Sequence, residues 1–120
     1  MAEGMVLKSD APINFLGTVN KESGVIEDKS HELFGRSVRG MILAFPSGIG
    51  SSVGAYTIYS IKSNGSAPLA MVCKKADLTV ATGCAFAGIP LIISEEEFAS
   101  LETGRQVVLD TKAKDMIRRV

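Results

Sequence analysis

Apolar residues fall along this chain in short runs divided by turn residues, with no internal repeat and no low-complexity stretch. Three runs stand out: Met41-Ile42-Leu43-Ala44-Phe45, Leu69-Ala70-Met71-Val72-Cys73 and Leu91-Ile92-Ile93. Each is short for a helix and is bounded by Pro46, Pro68 or Pro90, so each predicts a buried strand. Helical spacing lies between them. Ser51 opens a stretch through Val53, Tyr56, Ile58 and Ile61 that Asn64-Gly65 stops, and Asp77 can cap a helix from Leu78 toward Ala87. That spacing places Val53, Tyr56, Ile61, Leu78, Val80 and Ala87 in the core. Ser94-Glu95-Glu96-Glu97 forms a capping box, and Phe98 and Leu101 share the inner face of the helix behind it. Gly104 ends that helix, Gln106–Leu109 predicts a last strand, and the tail from Lys112 to Arg119 is charged and peripheral.

The first third reads as smaller strands at Met5–Leu7, Ile13–Leu16 and Val25–Ile26, separated by Asp10-Ala11-Pro12, Gly17 and Lys21-Glu22-Ser23-Gly24. A β-rich layer followed by alternating strands and helices gives an α/β fold, a three-layer β/β/α domain with a parallel sheet. Its 120 residues fit one domain, residues 1–120, and 46% hydrophobic content supplies a core. With aromatics at 6% and no Trp, that core rests on Val, Ile, Leu, Ala and Met.

Charge narrows the function classes. Thirteen basic residues balance thirteen acidic ones, so the broad electropositive face that binding a phosphate backbone requires is missing, which argues against nucleic acid as a partner. Near-zero net charge also leaves little self-repulsion and favours association with another protein. Cys73, Cys84 and one histidine form no CxxC and no four-ligand zinc set, so no metal is assigned and the cysteines read as buried, reduced thiols. The N-terminus has no signal-peptide apolar run, and no stretch approaches the ~20 residues of a membrane span. A cytoplasmic, reducing location and no membrane partner are expected.

The richest stretch for chemistry is Phe45-Pro46-Ser47-Gly48-Ile49-Gly50-Ser51-Ser52-Val53-Gly54. It joins a buried strand to a helix, the place where open α/β sheets bind ligands. N–H groups at a helix start attract phosphate or carboxylate, Gly48 and Gly50 allow close backbone approach, and Ser51 and Ser52 add hydroxyls. The same residues also suit a tight turn with Ser51 as an ordinary N-cap. No Lys follows the glycines as in a P-loop, and no Ser-His-Asp set is evident. Arg36 and Arg39, before the central strand, could clamp an anion or be solvated. Lys74-Lys75 follows the second strand at the same sheet edge as the loop and reads as a solvated pair. His31, the one histidine, sits in a polar loop and reads as a surface residue.

Five segments in order carry a resemblance to a known family: Ile13-Asn14-Phe15-Leu16-Gly17, Gly40 to Pro46, Gly50-Ser51-Ser52-Val53-Gly54-Ala55-Tyr56, Asn64-Gly65 through Ala67-Pro68, and Gly88-Ile89-Pro90-Leu91. Together they resemble the small subunit of aconitase-X-type dehydratases, over roughly Ala2 to Ile93, and within that group the archaeal enzymes acting on phosphomevalonate. The resemblance implies a swivelling β/β/α domain docked on a large aconitase-like subunit as a heterodimer. That subunit would hold an iron–sulfur cluster of the 4Fe–4S type, with none bound by this chain. The implied reaction removes water from a small phosphorylated hydroxy acid, (R)-5-phosphomevalonate, giving trans-anhydromevalonate 5-phosphate in an archaeal mevalonate route to isoprenoids. Ser51 is the implied proton acceptor, with Gly50, Ser52 and Arg39 as substrate-binding candidates. Members of the family carry a further strand ahead of the counterpart of Ala2-Glu3-Gly4, which implies an unpaired strand edge near the N-terminus. Two rival readings share the resemblance: a hydroxyproline dehydratase of the aconitase X group, and a phosphoryl-carrier swivelling domain, which would need His31 as its phosphate acceptor.

Overall fold

A computed structural model describes residues 2–75, 77–109 and 117–119. The strands are β1 (Ala2–Lys8), β2 (Ile42–Phe45), β3 (Ala70–Cys73), β4 (Leu91–Ile93), β5 (Gln106–Leu109) and β6 (Ile117–Arg119). The helices are α1 (Phe15–Thr18), a single irregular turn, α2 (Gly54–Ser63), α3 (Leu78–Ala87) and α4 (Glu95–Ser100). The strands lie in the order β4-β3-β2-β1-β5-β6. β4, β3, β2 and β1 run parallel, while β5 is antiparallel to β1 and β6 to β5.

The three layers arise from a change of partner within β1. Its first half, Ala2–Met5, pairs with β5, and its second half, Val6–Lys8, pairs with β2. Gly4 lies in the first half, where a Cβ would stand 2.8 Å from Leu69 Cδ1 and 3.4 Å from the Gly40 carbonyl oxygen, so a larger residue there would push the Leu69 side chain aside. Alternation along the strands then divides the core. Leu7, Leu43, Phe45, Met71 and Cys73 pack beneath α2 and α3 and against Ile13, Phe15, Val19 and Ile26 of the long connection. Val6, Ile42, Ala44, Ala70 and Val72 face the other way and are covered by Val107 and Leu109 of β5 and by Phe98 and Leu101. Helices, parallel sheet and curled antiparallel strands form the α, β and β layers.

All three apolar runs form strands, and β2 and β3 are buried along their whole length, but β4 lies at the sheet edge and buries only Ile92 fully, with Ile93 exposed. Asp77 caps α3 by accepting from Val80 N at 2.9 Å, and Ser94 caps α4 by accepting from Glu97 N at 3.2 Å. The second half of the capping box is missing, because Ser94 N–H donates to the Cys73 carbonyl instead. Gly83 brings α3 onto α2, where an added Cβ would lie 2.8 Å from Ile58 Cδ1.

Several expectations are corrected. Ile13–Leu16 and Val25–Ile26 are not strands; Ile13, Val19, Val25 and Ile26 make only isolated bridges, the first run because it turns into α1 at Phe15 and the second because two residues are too few to extend a ladder. The second β layer comes from β1, β5 and β6. Val53, Tyr56 and Leu78 are exposed, since α2 and α3 already bury Ile58, Ile61, Val80 and Cys84 on the sheet. The tail supplies strand β6 at residues 117–119; its earlier part, 112–116, lies outside the described residues. Near the N-terminus, Ala2–Met5 of β1 pair with β5 on one side and with no strand on the other among the described residues, since β2 joins only from Val6 onward.

Candidate functional site

The Gly-rich loop leaves the C-terminal end of β2 and is gripped from both sides. Ile13 N–H donates to the Ser47 carbonyl at 3.1 Å, and Ile49 N–H returns a bond to the Ile13 carbonyl at 3.0 Å. Lys74 N–H and Lys75 N–H both donate to the Pro46 carbonyl, at 3.1 and 3.0 Å, so the end of β3 braces the loop's start. The expected neighbourhood of Lys74-Lys75 and the loop is thus present in the backbone, while the Lys74 ammonium turns to an exposed Glu95 at 3.8 Å.

Both loop glycines are sterically required. A Cβ on Gly48 would stand 2.7 Å from Asp77 Oδ2 and 2.8 Å from Val80 Cγ2, at the start of α3. Gly50 has φ +89°, a left-handed conformation that penalises a side chain, and its Cβ would lie 2.6 Å from both Cγ and Oδ1 of Asn14. Asn14 Oδ1 is buried with no hydrogen-bond partner in the protein. A buried acceptor left unpaired costs on the order of 1–3 kcal/mol, so such an atom calls for an explanation. Asn14 went unrecognised in the sequence because Asn between Ile13 and Phe15 reads as an ordinary turn residue. Its partly buried polar side chain between two core residues was the only available signal.

Ser51 is exposed, and its Oγ accepts from Val53 N–H at 3.1 Å. It is not the N-cap of α2, which begins at Gly54 with Val53 in the cap position. The first N–H groups are consumed locally: Gly54 donates to the Ser51 carbonyl, Ala55 to that of Ser52 and Tyr56 to that of Val53. The anion-binding helix start expected from the sequence is therefore occupied. One step earlier, the N–H groups of Gly50, Ser51 and Ser52 donate to no acceptor among the described residues, as is also true of Ser47 and Gly48 in the same loop. Successive N–H groups next to a left-handed residue form a concavity suited to an anionic oxygen.

Of the four candidates, Gly50, Ser51 and Ser52 are brought together and Arg39 is not. Arg39 precedes β2, whereas the loop follows it. Four strand residues at roughly 3.3 Å each separate the two ends of the sheet. Arg39 is exposed, and its N–H donates to Ser37 Oγ at 3.2 Å in a turn at the far end.

His31 is pinned at both nitrogens. Nδ1 accepts from Leu33 N–H at 3.1 Å, so Nε2 carries the proton and donates to the Pro12 carbonyl at 3.2 Å. Neither nitrogen is free to take a phosphoryl group. Glu32 reinforces the same segment by accepting from Ser9 Oγ at 2.7 Å and Ala11 N–H at 3.0 Å, and the Ser9 hydroxyl holds its carboxyl below the usual carboxylate range. His31 and Glu32 thus fix the stretch that delivers Ile13 and Asn14 to the loop.

Cys73 and Cys84 are buried, and burial pushes both thiols up to about 12. Cys84 S–H points at Met71 Sδ, 3.5 Å away. Metal ligation needs thiolates, which these sites oppose. Among the described residues no three His, Cys, Asp or Glu side chains gather to hold a metal ion. The described residues therefore do not fit an iron–sulfur cluster. No described helix is long and apolar enough to cross a membrane.

The family model described as the aconitase X swivel domain matches residues 1–118. The chain is 44% identical over 106 residues to a protein named phosphomevalonate dehydratase small subunit from Thermococcus gammatolerans, covering 88% of this chain and 80% of that one. A protein of the same name from Methanothrix thermoacetophila is 41% identical over 117 residues, covering 97% and 85%. The crystal structure of Thermococcus kodakaraensis aconitase X in its holo form superposes with a TM-score of 0.90 at 38% identity, covering 99% of this chain and 89% of that one.

Proposed function

From its membership of the aconitase X swivel-domain family, we propose that this chain is the small subunit of a phosphomevalonate dehydratase, a hydro-lyase. As a small subunit it works with a larger one, and we place the pair in the cytoplasm as a heterodimer. The reaction converts (R)-5-phosphomevalonate to trans-anhydromevalonate 5-phosphate. The observation that carries the reading is the Gly50–Ser52 loop, with a serine hydroxyl beside three unpartnered N–H groups at the end of a parallel strand.

Dehydration of a hydroxy acid takes a proton from the carbon next to the carboxylate while hydroxide leaves the neighbouring carbon, and that proton and that hydroxide together make up the one water lost. We assign the proton to Ser51 Oγ. The Val53 N–H bond to that oxygen favours its anionic form over the neutral hydroxyl. The N–H groups of Gly50, Ser51 and Ser52 would receive an anionic oxygen of the substrate, so Gly50 and Ser52 bind through their backbone. Arg39 lies at the wrong end of β2 to join them. A helix start stabilises an anion by about 0.3–1 kcal/mol, and up to ~2 when partly buried. At about 1.36 kcal/mol per unit, that lowers a hydroxyl pKa by ~1.5 at best. A serine is far too weak an acid for this to suffice, so the larger subunit must close a dry site around Ser51 and supply further donors. We assign the iron–sulfur cluster to that subunit, where it would act as Lewis acid toward the leaving hydroxyl.

The test is reconstitution. Mixed with its larger subunit, the chain is expected to dehydrate 5-phosphomevalonate, and alone to have no activity. Turnover by the isolated chain, or turnover of hydroxyproline instead of phosphomevalonate by the pair, would overturn the reading.

A further inference from the structure

α2 and α3 are apolar on two faces, and the sheet covers one of them. Ile58, Ile61, Val80, Cys84 and Ala87 are buried inward, yet Tyr56, Tyr59, Leu78 and Phe86 are 74%, 52%, 82% and 78% exposed. The sequence of α3, LTVATGCAFA, contains no charged residue at all. A helix apolar all round is normally buried all round, and the solvent face of an unpartnered helix carries charge instead. Leu78, Thr82 and Phe86 recur every fourth residue and form one outward stripe. Between this stripe and α2 runs a groove of about 580 Å³, lined by Ser52, Ala55, Tyr56, Tyr59, Thr82 and Phe86. Taking about 150–250 Å² per aromatic side chain, the exposed parts of Tyr56, Tyr59, Phe86 and Leu78 amount to roughly 500 Å². That is in the upper part of the ~300–600 Å² range of the largest patch on a monomer, a patch that is often functional, and is a major share of the ~800 Å² that each partner buries in a stable interface.

We propose that this outer face of α2 and α3 is the surface on which the larger subunit docks. The inference rests on the subunit reading above. The groove includes Ser52, so its occupant lies next to Ser51 and covers the loop that the larger subunit must complete. A second copy seated around a two-fold axis would instead press the two serine loops together and shut out substrate. The partner surface should offer an apolar ridge to fill the groove, free of unpaired charge. It should also offer backbone carbonyls to the Tyr56 and Tyr59 hydroxyls, which donate to nothing among the described residues.

Tyr56→Asp and Phe86→Asp, made singly in the full chain, test this against the larger subunit by titration calorimetry, with thermal melts of the free chain alongside. Both side chains are exposed, so the melts are expected to stay put while Kd for the larger subunit rises at least ~30-fold, the scale of an interface hot spot. Arg39→Asp, at the other end of the sheet, should leave Kd unchanged. Wild-type affinity in both aromatic variants, with wild-type chain binding and catalysing normally, would overturn the docking surface alone. Failure of the wild-type chain to bind the larger subunit would overturn the subunit reading and the docking surface with it. A homodimer of the free chain broken by these substitutions, with affinity for the larger subunit intact, would identify a second copy as the occupant and also overturn the proposal.

Discussion

The two ends of β2 carry similar residues and are built in opposite ways. Before the strand, the turn at Ser37-Val38-Arg39-Gly40 and the Asn64-Gly65 turn after α2 are both tied to the Lys21–Ser23 turn; beyond the strand lies Ser47-Gly48-Ile49-Gly50-Ser51-Ser52. At the first end Gly40 and Gly65 have positive φ but open space where a Cβ would be. The polar groups there find ordinary partners, with Asn64 Nδ2 donating to the Lys21 carbonyl and Ser37 Oγ to that of Ser23. At the second end Gly48 and Gly50 are packed against Asp77, Val80 and Asn14, and an acceptor of Asn14 is buried unpaired. Glycine and serine alone mark turns. Glycine under steric pressure beside unsatisfied polar atoms marks a surface held in shape at a cost in stability, and that cost is typical of functional sites.

Substitution at the glycines should separate the ends most sharply. Gly50→Ala must adopt a left-handed backbone and displace Asn14. We expect a loss of about 2–4 kcal/mol of stability and at least ~100-fold in turnover of the reconstituted enzyme. Gly40→Ala faces only the backbone penalty, about 1–2 kcal/mol, with turnover preserved. Urea denaturation and steady-state kinetics on the two variants check this, and equal losses of activity would erase the contrast.

Asn14→Ala sharpens it further. A side chain that only supports the fold would lower stability when truncated. Removing an unpaired buried acceptor should instead leave stability within about 1 kcal/mol of wild type or raise it. Turnover should fall by roughly tenfold to a hundredfold, because the loop loses the surface it is shaped against. A large drop in stability with turnover intact would make Asn14 structural. The smallest effect belongs to the far end. Arg39→Ala should change kcat and KM by less than about twofold, since a solvated side chain there touches neither core nor loop. A large rise in KM would return Arg39 to the substrate.

Much of this contrast was legible in the sequence. Ile42–Phe45 and Ala70–Cys73 announce buried parallel strands because a strand covered on both faces needs no polar alternation, whereas the same signal at Leu91–Ile93 marks an edge strand with Ile93 exposed. The strand–glycine–serine–helix order placed the loop correctly. The rest was not legible, for reasons specific to each residue. Tyr56 and Leu78 fit helical spacing and so read as core, but spacing identifies an apolar stripe without saying which body covers it. Val25-Ile26 has strand composition, yet two residues pair only through single bridges. Arg39 and Ser51 flank the same strand in sequence, and only the direction of β2 shows that they face opposite ends. The roles of Asn14 and His31 depend on contacts across the chain, with Gly50 in one case and the Pro12 carbonyl in the other.

The central claim is that Ser51 Oγ takes the proton. Its most direct test is kcat of the Ser51→Ala enzyme, reconstituted with the larger subunit, beside Ser52→Ala. Ser51 is exposed and its hydroxyl holds one local bond, so folding and assembly should match wild type. The account predicts a fall in kcat of several orders of magnitude for Ser51→Ala, on the order of the 10²–10⁴-fold or more supplied by a positioned base. Ser52→Ala, which keeps its backbone N–H, should lose far less. Near-normal turnover in Ser51→Ala would contradict the account and leave the loop only a role in positioning the substrate.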